Sequence, residues 1–312
     1  MPMDADVREM LEAMAASGRV PTSGDPRDAR ARFQGMPVTA IEGIWRIEDI
    51  DIDNGEGGRL RLRVYSPDDE LNAPAVLAFH GGGWILGDLL FMESNCRALA
   101  KRAKCRVISV EYRLAPEHRF PAAVNDAYRA LVWVADNAER LGIDPTRIAA
   151  YGQSAGGNLV ACLAVMARDH GEPQLCFQVP VYPVIDADFE RSSYQEWAQG
   201  PGLTRAQMKW YWDAYVDESQ RQNPYVAPLH AKSLAGLAPA LVITAEADPL
   251  RSEGQAYAER LSEDGVEVRS LTAPGLQHGF MNVLQLFPKA QLIFDDVVTT
   301  LRERFAALAA VS

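Results

Sequence analysis

Apolar positions along this chain change their period several times, and each change marks a different kind of element. Residues 6–17 set Val7, Leu11 and Met14 at helical spacing among charges, an amphipathic helix, and residues 26–33 read as a second, shorter one. Both precede the first strand, so they stand outside any alternating core and are expected to pack on top of it. Over residues 44–53 and 59–66 the period drops to two. Leu60, Leu62 and Val64 face one way and Arg59, Arg61 and Arg63 the other. Joined through Asn54-Gly55-Glu56-Gly57-Gly58, these segments predict an antiparallel hairpin at a sheet edge. Residues 74–79 are almost uninterruptedly apolar, as a strand covered on both faces should be. From there strand-like runs at 105–110, 147–151, 176–182, 240–245 and 266–271 alternate with helical patterns at 122–138, 156–168 and 253–263, and a last helix spans 288–309. This rhythm predicts an α/β fold with a mostly parallel central sheet, right-handed crossovers and helices on both faces.

The rhythm breaks between 185 and 225, a stretch with no strand-like run and with Trp197, Met208, Trp210, Tyr211, Trp212 and Tyr215. It reads as a helical insertion whose aromatics pack between helices, with Trp197, Met208 and Trp212, together with Trp84, as candidate walls of a substrate pocket. The expected organisation is 1–43 N-terminal cap helices, 44–184 the first part of the core, 185–225 a helical cap insertion, and 226–312 the second part of the core.

Composition adds constraints. A chain of 312 residues, 48% hydrophobic and 23% charged, is ample for a buried core and too apolar for disorder. A net charge of −11 argues against a nucleic-acid partner or an anionic membrane surface, because both need clustered Lys and Arg. No apolar run reaches the length of a bilayer span. The N-terminus has neither the basic start nor the apolar stretch of a signal peptide, so a cytoplasmic location is expected. Cys96, Cys105, Cys162 and Cys176 lack paired C-x-x-C spacing and read as reduced, buried thiols.

The chemistry centres on I-A-A-Y-G-Q-S-A-G-G-N, residues 148–158. A strand-like run ends at Tyr151, glycines at 152 and 156 bracket Ser154, and a helical pattern follows at once. A serine at the apex of a strand–turn–helix is pushed out of the fold by its backbone, and small neighbours are required on either side. Ser154 is therefore the candidate nucleophile. Such a hydroxyl needs an imidazole to take its proton and a buried carboxylate to orient that imidazole. In a parallel sheet both should follow the C-terminal ends of later strands. His278 follows the strand-like run at 266–271, and Asp248 follows the one at 240–245. Asp186 and Asp188, after the run ending at Tyr182, are the rival acids. His118, His170 and His230 read as surface or capping groups. His80-Gly81-Gly82-Gly83-Trp84 directly follows a buried strand, and its bare amides suit an oxyanion: Gly82 and Gly83 are assigned as donors, with Ala155 as the third. If His278 is the base, activity should fall as it protonates, near the ordinary imidazole value of about 6.5.

These motifs, with Tyr112-Arg113-Leu114-Ala115-Pro116-Glu117-His118, Phe120-Pro121-Ala122-Ala123, Asp248-Pro249-Leu250 and His278-Gly279-Phe280, resemble the bacterial hormone-sensitive-lipase-like carboxylesterases of the α/β-hydrolase superfamily. The order Ser154, Asp248, His278 is that superfamily's order. The resemblance implies an α/β-hydrolase fold with a helical cap and a serine esterase needing no metal or cofactor. It also implies short to medium acyl chains on a small-molecule ester, and a possible homodimer. The chain departs from the family pattern at Gln153, where Asp is common, and at Ser252, where an acidic residue often follows D-P-L-R. A non-catalytic small-molecule receptor on the same scaffold would be expected to lack a triad member, commonly the histidine, and His278 is present. A lactonase or acyl-peptide hydrolase would need the same three residues.

Overall fold

The computed structural model describes residues 24–33, 42–200 and 202–310, so the expected helix over 6–17 lies outside the described residues. The first described helix is α1 (Pro26–Phe33). Two strands, β1 (Arg46–Asp53) and β2 (Arg59–Ser66), pair antiparallel in the hairpin their period-two pattern predicts. On its polar face Arg61 stands opposite Asp51 and Arg63 opposite Asp49, each bonded to its partner at 2.9 and 2.7 Å respectively.

Then follow β3 (Ala73–Phe79), α2 (Glu93–Ala103), β4 (Arg106–Glu111), α3 (Ala122–Asp136), α4 (Ala138–Leu141), β5 (Ile143–Gln153), α5 (Ala155–His170) and β6 (Phe177–Val181). Between Ile185 and Tyr225 the chain forms α6 (Ser192–Glu196) and α7 (Arg205–Tyr215). Thr204 starts α7 with a capping box, accepting from the Gln207 amide while Gln207 Oε1 accepts from its own. The core resumes with β7 (Ala240–Ala247), α8 (Arg251–Glu263), β8 (Val268–Gln277) and α9 (Pro288–Ala309).

All eight strands form one sheet in the order β1-β2-β4-β3-β5-β6-β7-β8. Beyond the antiparallel contacts at β1, β2 and β4 every pairing is parallel. Alternate residues of the central strands enter opposite cores. On β3, Ala75, Leu77 and Phe79 join the cluster that includes α3, α5 and α7, while Val76 and Ala78 join the one built with α2 and α9. The order also reverses at β3, which has β4 on one side and β5 on the other. In open α/β sheets the crevice at such a reversal, beyond the strand C-termini, is where ligands bind. The glycine loop leaves β3 there and Ser154 leaves β5. Among the described residues no helix is long and apolar enough to cross a membrane.

Three boundaries differ from the pattern reading. Helix α2 was not singled out, though Cys96, Leu99, Ala100 and Ala103 carry helical spacing and are all buried. Strand β5 begins at Ile143, ahead of the expected run at 147–151, and shifts register between Ala73 and Ala75 of its partner, which leaves Asp144-Pro145-Thr146 in a bulge. Strand β8 starts at Val268 and runs on to Gln277, resuming pairing at Ala247↔Gln277 despite Pro274 and Gly275. That extension delivers His278 directly at a strand end. Three of the four cysteines are buried and all are free, with burial pushing the Cys96 thiol up to about 12.

Candidate active site

Ser154 sits between β5 and α5 with φ 56° and ψ −118°, a left-handed conformation rare for a side-chain-bearing residue and costing on the order of 1–3 kcal/mol. Its surroundings over-determine it. The Ser154 amide donates to Val181 O at 2.9 Å, and its carbonyl accepts from Asn158 and Val184 at 2.9 and 3.3 Å. Gly156 packs so closely on the end of β3 that a Cβ there would lie 2.0 Å from Phe79 O. The turn therefore presses against the strand that carries the glycine loop.

His278 bridges the other two candidates. Its Nε2 lies 2.9 Å from Ser154 Oγ and its Nδ1 2.8 Å from Asp248 Oδ2. Asp248 is fully buried, and its Oδ1 accepts from the Leu250 amide at 2.9 Å, fixing the carboxylate in the turn after β7. The His278 side chain is 12% exposed, enough for a small molecule to meet the ring edge. The rival acids are engaged elsewhere. Asp186 pairs with Arg191 at 2.8 Å and with His230 at 3.0 Å, and Asp188 Oδ1 accepts from the Glu190 amide. His170 Nδ1 donates to Met166 O at the end of α5, while His118 is exposed.

Gly82, Gly83 and Trp84 follow one another with φ of 117°, 61° and 60°, a run of positive φ that glycine adopts without a Cβ penalty at the first two positions. Among the described residues, no hydrogen bond engages the amides of Gly82, Gly83 or Ala155. Ala155 is also the first residue of α5, where the helix dipole favours negative charge. A Cβ on Gly83 would meet the Tyr211 ring at 2.3 Å, so the ring from α7 packs directly against the glycine loop. The loop is pinned from the N-terminal side as well: Arg30 of α1 donates to Ile85 O at 2.9 Å and Ala115 O at 2.8 Å and pairs with Glu117.

His80, at the head of the loop, is a structural ring. It stacks on Tyr112 at 4.3 Å, and its Nδ1 donates to Gly81 O at 2.8 Å. Burial lowers its pKa from 6.5 to about 4. The unfolded chain binds a proton here at pH values where the folded protein does not, so this contribution to stability is full above about pH 6.5 and shrinks as the pH falls towards 4. From that shift the contribution is on the order of 3 kcal/mol. In His80→Gln the decline of melting temperature between pH 6.5 and 4.5 should be shallower than in the wild type. Equal slopes would refute the assignment.

Trp84, Met208 and Trp212 come together in one buried cluster, where Trp84 stacks on Tyr215 at 4.2 Å and meets Trp212 edge-on at 5.2 Å. Trp197 stands apart from them, half-buried against the cluster that holds Tyr182 and Phe280. Both departures from the family pattern have partners. Ser252 Oγ accepts from the Ser193 amide at 3.2 Å and bonds Ser192 Oγ at 2.9 Å, and Ser193 Oγ donates to Pro249 O at 2.5 Å. These hydroxyls fasten α6 to the turn that carries Asp248. Gln153 is hydrogen-bonded on both sides of its amide. Tyr211, Tyr182 and Asn95 are site neighbours that the sequence reading did not assign. Of these, only Tyr211 carried a signal, its place among the insertion's aromatics.

A hydroxyl on a tight strand–helix turn, a histidine and an acid beyond later strands, and a glycine loop at the sheet's reversal point define an α/β hydrolase. The chain belongs to the alpha/beta hydrolase fold family, whose model matches residues 76–282, and within it to the hormone-sensitive-lipase-like group. It is 39% identical over 286 residues to an arylesterase of Saccharolobus solfataricus, covering 90% of this chain and 93% of that protein. To a carboxylesterase of Mycobacterium tuberculosis it is 42% identical over 269 residues, 84% of each. Among solved structures, a hyperthermophilic esterase from the archaeon Pyrobaculum calidifontis superposes with a TM-score of 0.90 at 38% identity, covering 97% of this chain and 99% of that one.

Proposed function

We propose that this protein is a serine carboxylesterase acting on small esters of short to medium acyl chain, with Ser154 as nucleophile, His278 as base and then acid, and Asp248 as the orienting carboxylate. The observation that carries the reading is the unbroken Ser154–His278–Asp248 line at 2.9 and 2.8 Å. Ser154 Oγ attacks the acyl carbon as its proton passes to His278 Nε2, and the oxyanion rests on the amides of Gly82, Gly83 and Ala155. The tetrahedral adduct collapses, the alkoxide leaves with the proton from Nε2, and an acyl-serine remains. Water then gives a proton to Nε2 and attacks the acyl carbon. The carboxylic acid departs as Ser154 recovers its hydrogen.

Helix α1 and the α6–α7 segment form the cap of this reading. Trp84, Met208, Trp212 and Trp197 are its pocket walls in the same proposal. A homodimer and a cytoplasmic location belong to the same proposal, each open to direct measurement by light scattering and by cell fractionation.

The test uses an alkyl phosphonate ester and a p-nitrophenyl ester series from acetate to dodecanoate, run beside lactone and peptide substrates. The expected result is a single phosphonyl adduct on Ser154 and highest kcat/KM among the shorter acyl chains. No adduct and no turnover would favour a receptor, and preference for lactone or peptide would move the substrate class.

A further inference from the structure

Gln153 precedes the nucleophile and is almost fully buried, yet nothing in the acyl-transfer steps uses it. Its carbonyl Oε1 accepts from the Tyr182 hydroxyl at 2.8 Å, and its Nε2 donates to Tyr151 Oη at 2.9 Å. Asn95 Nδ2 on α2 lies 3.5 Å from the same Tyr151 oxygen and donates to Met281 O at 3.1 Å. The two ends of this chain both reach the His278 segment. The Tyr182 ring meets the His278 ring edge-on, with centroids 4.8 Å apart and planes at 60°. Met281, at the other end, is three residues beyond His278 and fully buried. Tyr182 itself has φ 34°, a strained backbone for a non-glycine, and its hydroxyl is held by Gln153 Oε1 and by the Met281 backbone.

We propose that Gln153 is a positioning residue, the hub that couples the nucleophile turn to the ring and loop of His278 through Tyr182 on one arm and Tyr151–Asn95 on the other. An amide suits this place because it accepts on one side and donates on the other, whereas an ionised carboxylate only accepts. With a carboxylate, Tyr151 would have to turn its proton towards position 153. A buried negative charge would also stand against Tyr182, whose ring packs on His278. Burial holds both phenols in their protonated form, the Tyr151 hydroxyl being pushed up to about 12.

The inference rests on the esterase reading above, so the experiment separates the two. Gln153→Met, similar in length and without hydrogen-bonding groups, is measured beside Tyr182→Phe, which keeps the ring against His278 and loses only the hydroxyl, with its bonds to Gln153 and the Met281 backbone. Because small displacements of a catalytic group cost up to about 100-fold, each variant should lose about 10- to 100-fold in kcat with KM within about twofold. The double variant should be no worse than Gln153→Met alone, since that variant has already lost the Tyr182 bond along with the Tyr151 one. A folded Gln153→Met enzyme with kcat within twofold of wild type, whatever its melting temperature, overturns the proposal by reducing Gln153 to packing. If Gln153→Met fails to fold, unchanged kcat in Tyr182→Phe overturns it and a drop of about fivefold or more supports it. Failure of the wild type to react with the phosphonate would instead remove the esterase reading, a distinguishable result.

Discussion

Ser154→Ala is expected to lower kcat on a p-nitrophenyl ester by about 10⁵- to 10⁶-fold while leaving the melting temperature within about 2 °C. The loss is this large because in the proposed mechanism the hydroxyl forms the covalent intermediate, and no other described side chain bonds His278 Nε2. Stability should scarcely change. Alanine keeps the Cβ, so the left-handed turn holds the same strain, and the turn's backbone bonds to Val181, Asn158 and Val184 involve no side-chain atom of Ser154. Residual hydrolysis should survive from the Gly82, Gly83 and Ala155 amides, because charge stabilisation does not require the nucleophile. Paired kinetics and thermal melts decide the matter: a variant retaining a tenth of wild-type kcat would exclude Ser154 as the nucleophile.

The second large effect is structural. At most helical positions glycine to alanine stabilises by about 1 kcal/mol. Gly156→Ala should do the reverse, lowering the melting temperature by roughly 6–10 °C, because its Cβ would sit 2.0 Å from Phe79 O and 2.6 Å from His80 O. Backbone oxygens at a strand end cannot step aside as a flexible side chain can, so the strain spreads into β3 and the glycine loop, and kcat should fall too. Gly171→Ala provides the contrast. That residue has φ +90° but open space around it, so only the conformational penalty of about 1 kcal/mol applies and kcat should stay near wild type. Equal melting temperatures for the two variants would show that close approach is not what requires glycine at 156.

Much of this was legible in the chain because it rests on local rules. The hairpin follows from period two, and β3 from an apolar run that both faces of the sheet must bury. The last helix, α9, follows from helical spacing after Phe287. Ser154, Asp248 and His278 could be named as candidates because each sits where a strand-like run gives way to a turn. Errors fell where tertiary pairing overrides a local signal. Pro145 and Pro274 each lie in an irregular stretch whose flanking residues pair on both sides, so the neighbouring strand carries the element past the proline. Helix α2 was readable from Cys96, Leu99, Ala100 and Ala103, yet its one site contribution, Asn95, depends on Met281, 186 residues away.

By itself the sequence determined the α/β class, the chain order of the candidate acyl-transfer residues and the need for small residues around residues 81–83 and 152–157. All of these follow from backbone geometry and burial that a few neighbouring residues dictate. Only the tertiary structure decided which acid meets His278, since Asp186 and Asp248 both follow parallel strands and differ in what stands beside them: Arg191 and His230 for one, the imidazole for the other. It also decided the meaning of Gln153 and Ser252. A hydrogen bond to a side chain far along the chain is set by where strands and helices pack, and nothing in the local sequence records that.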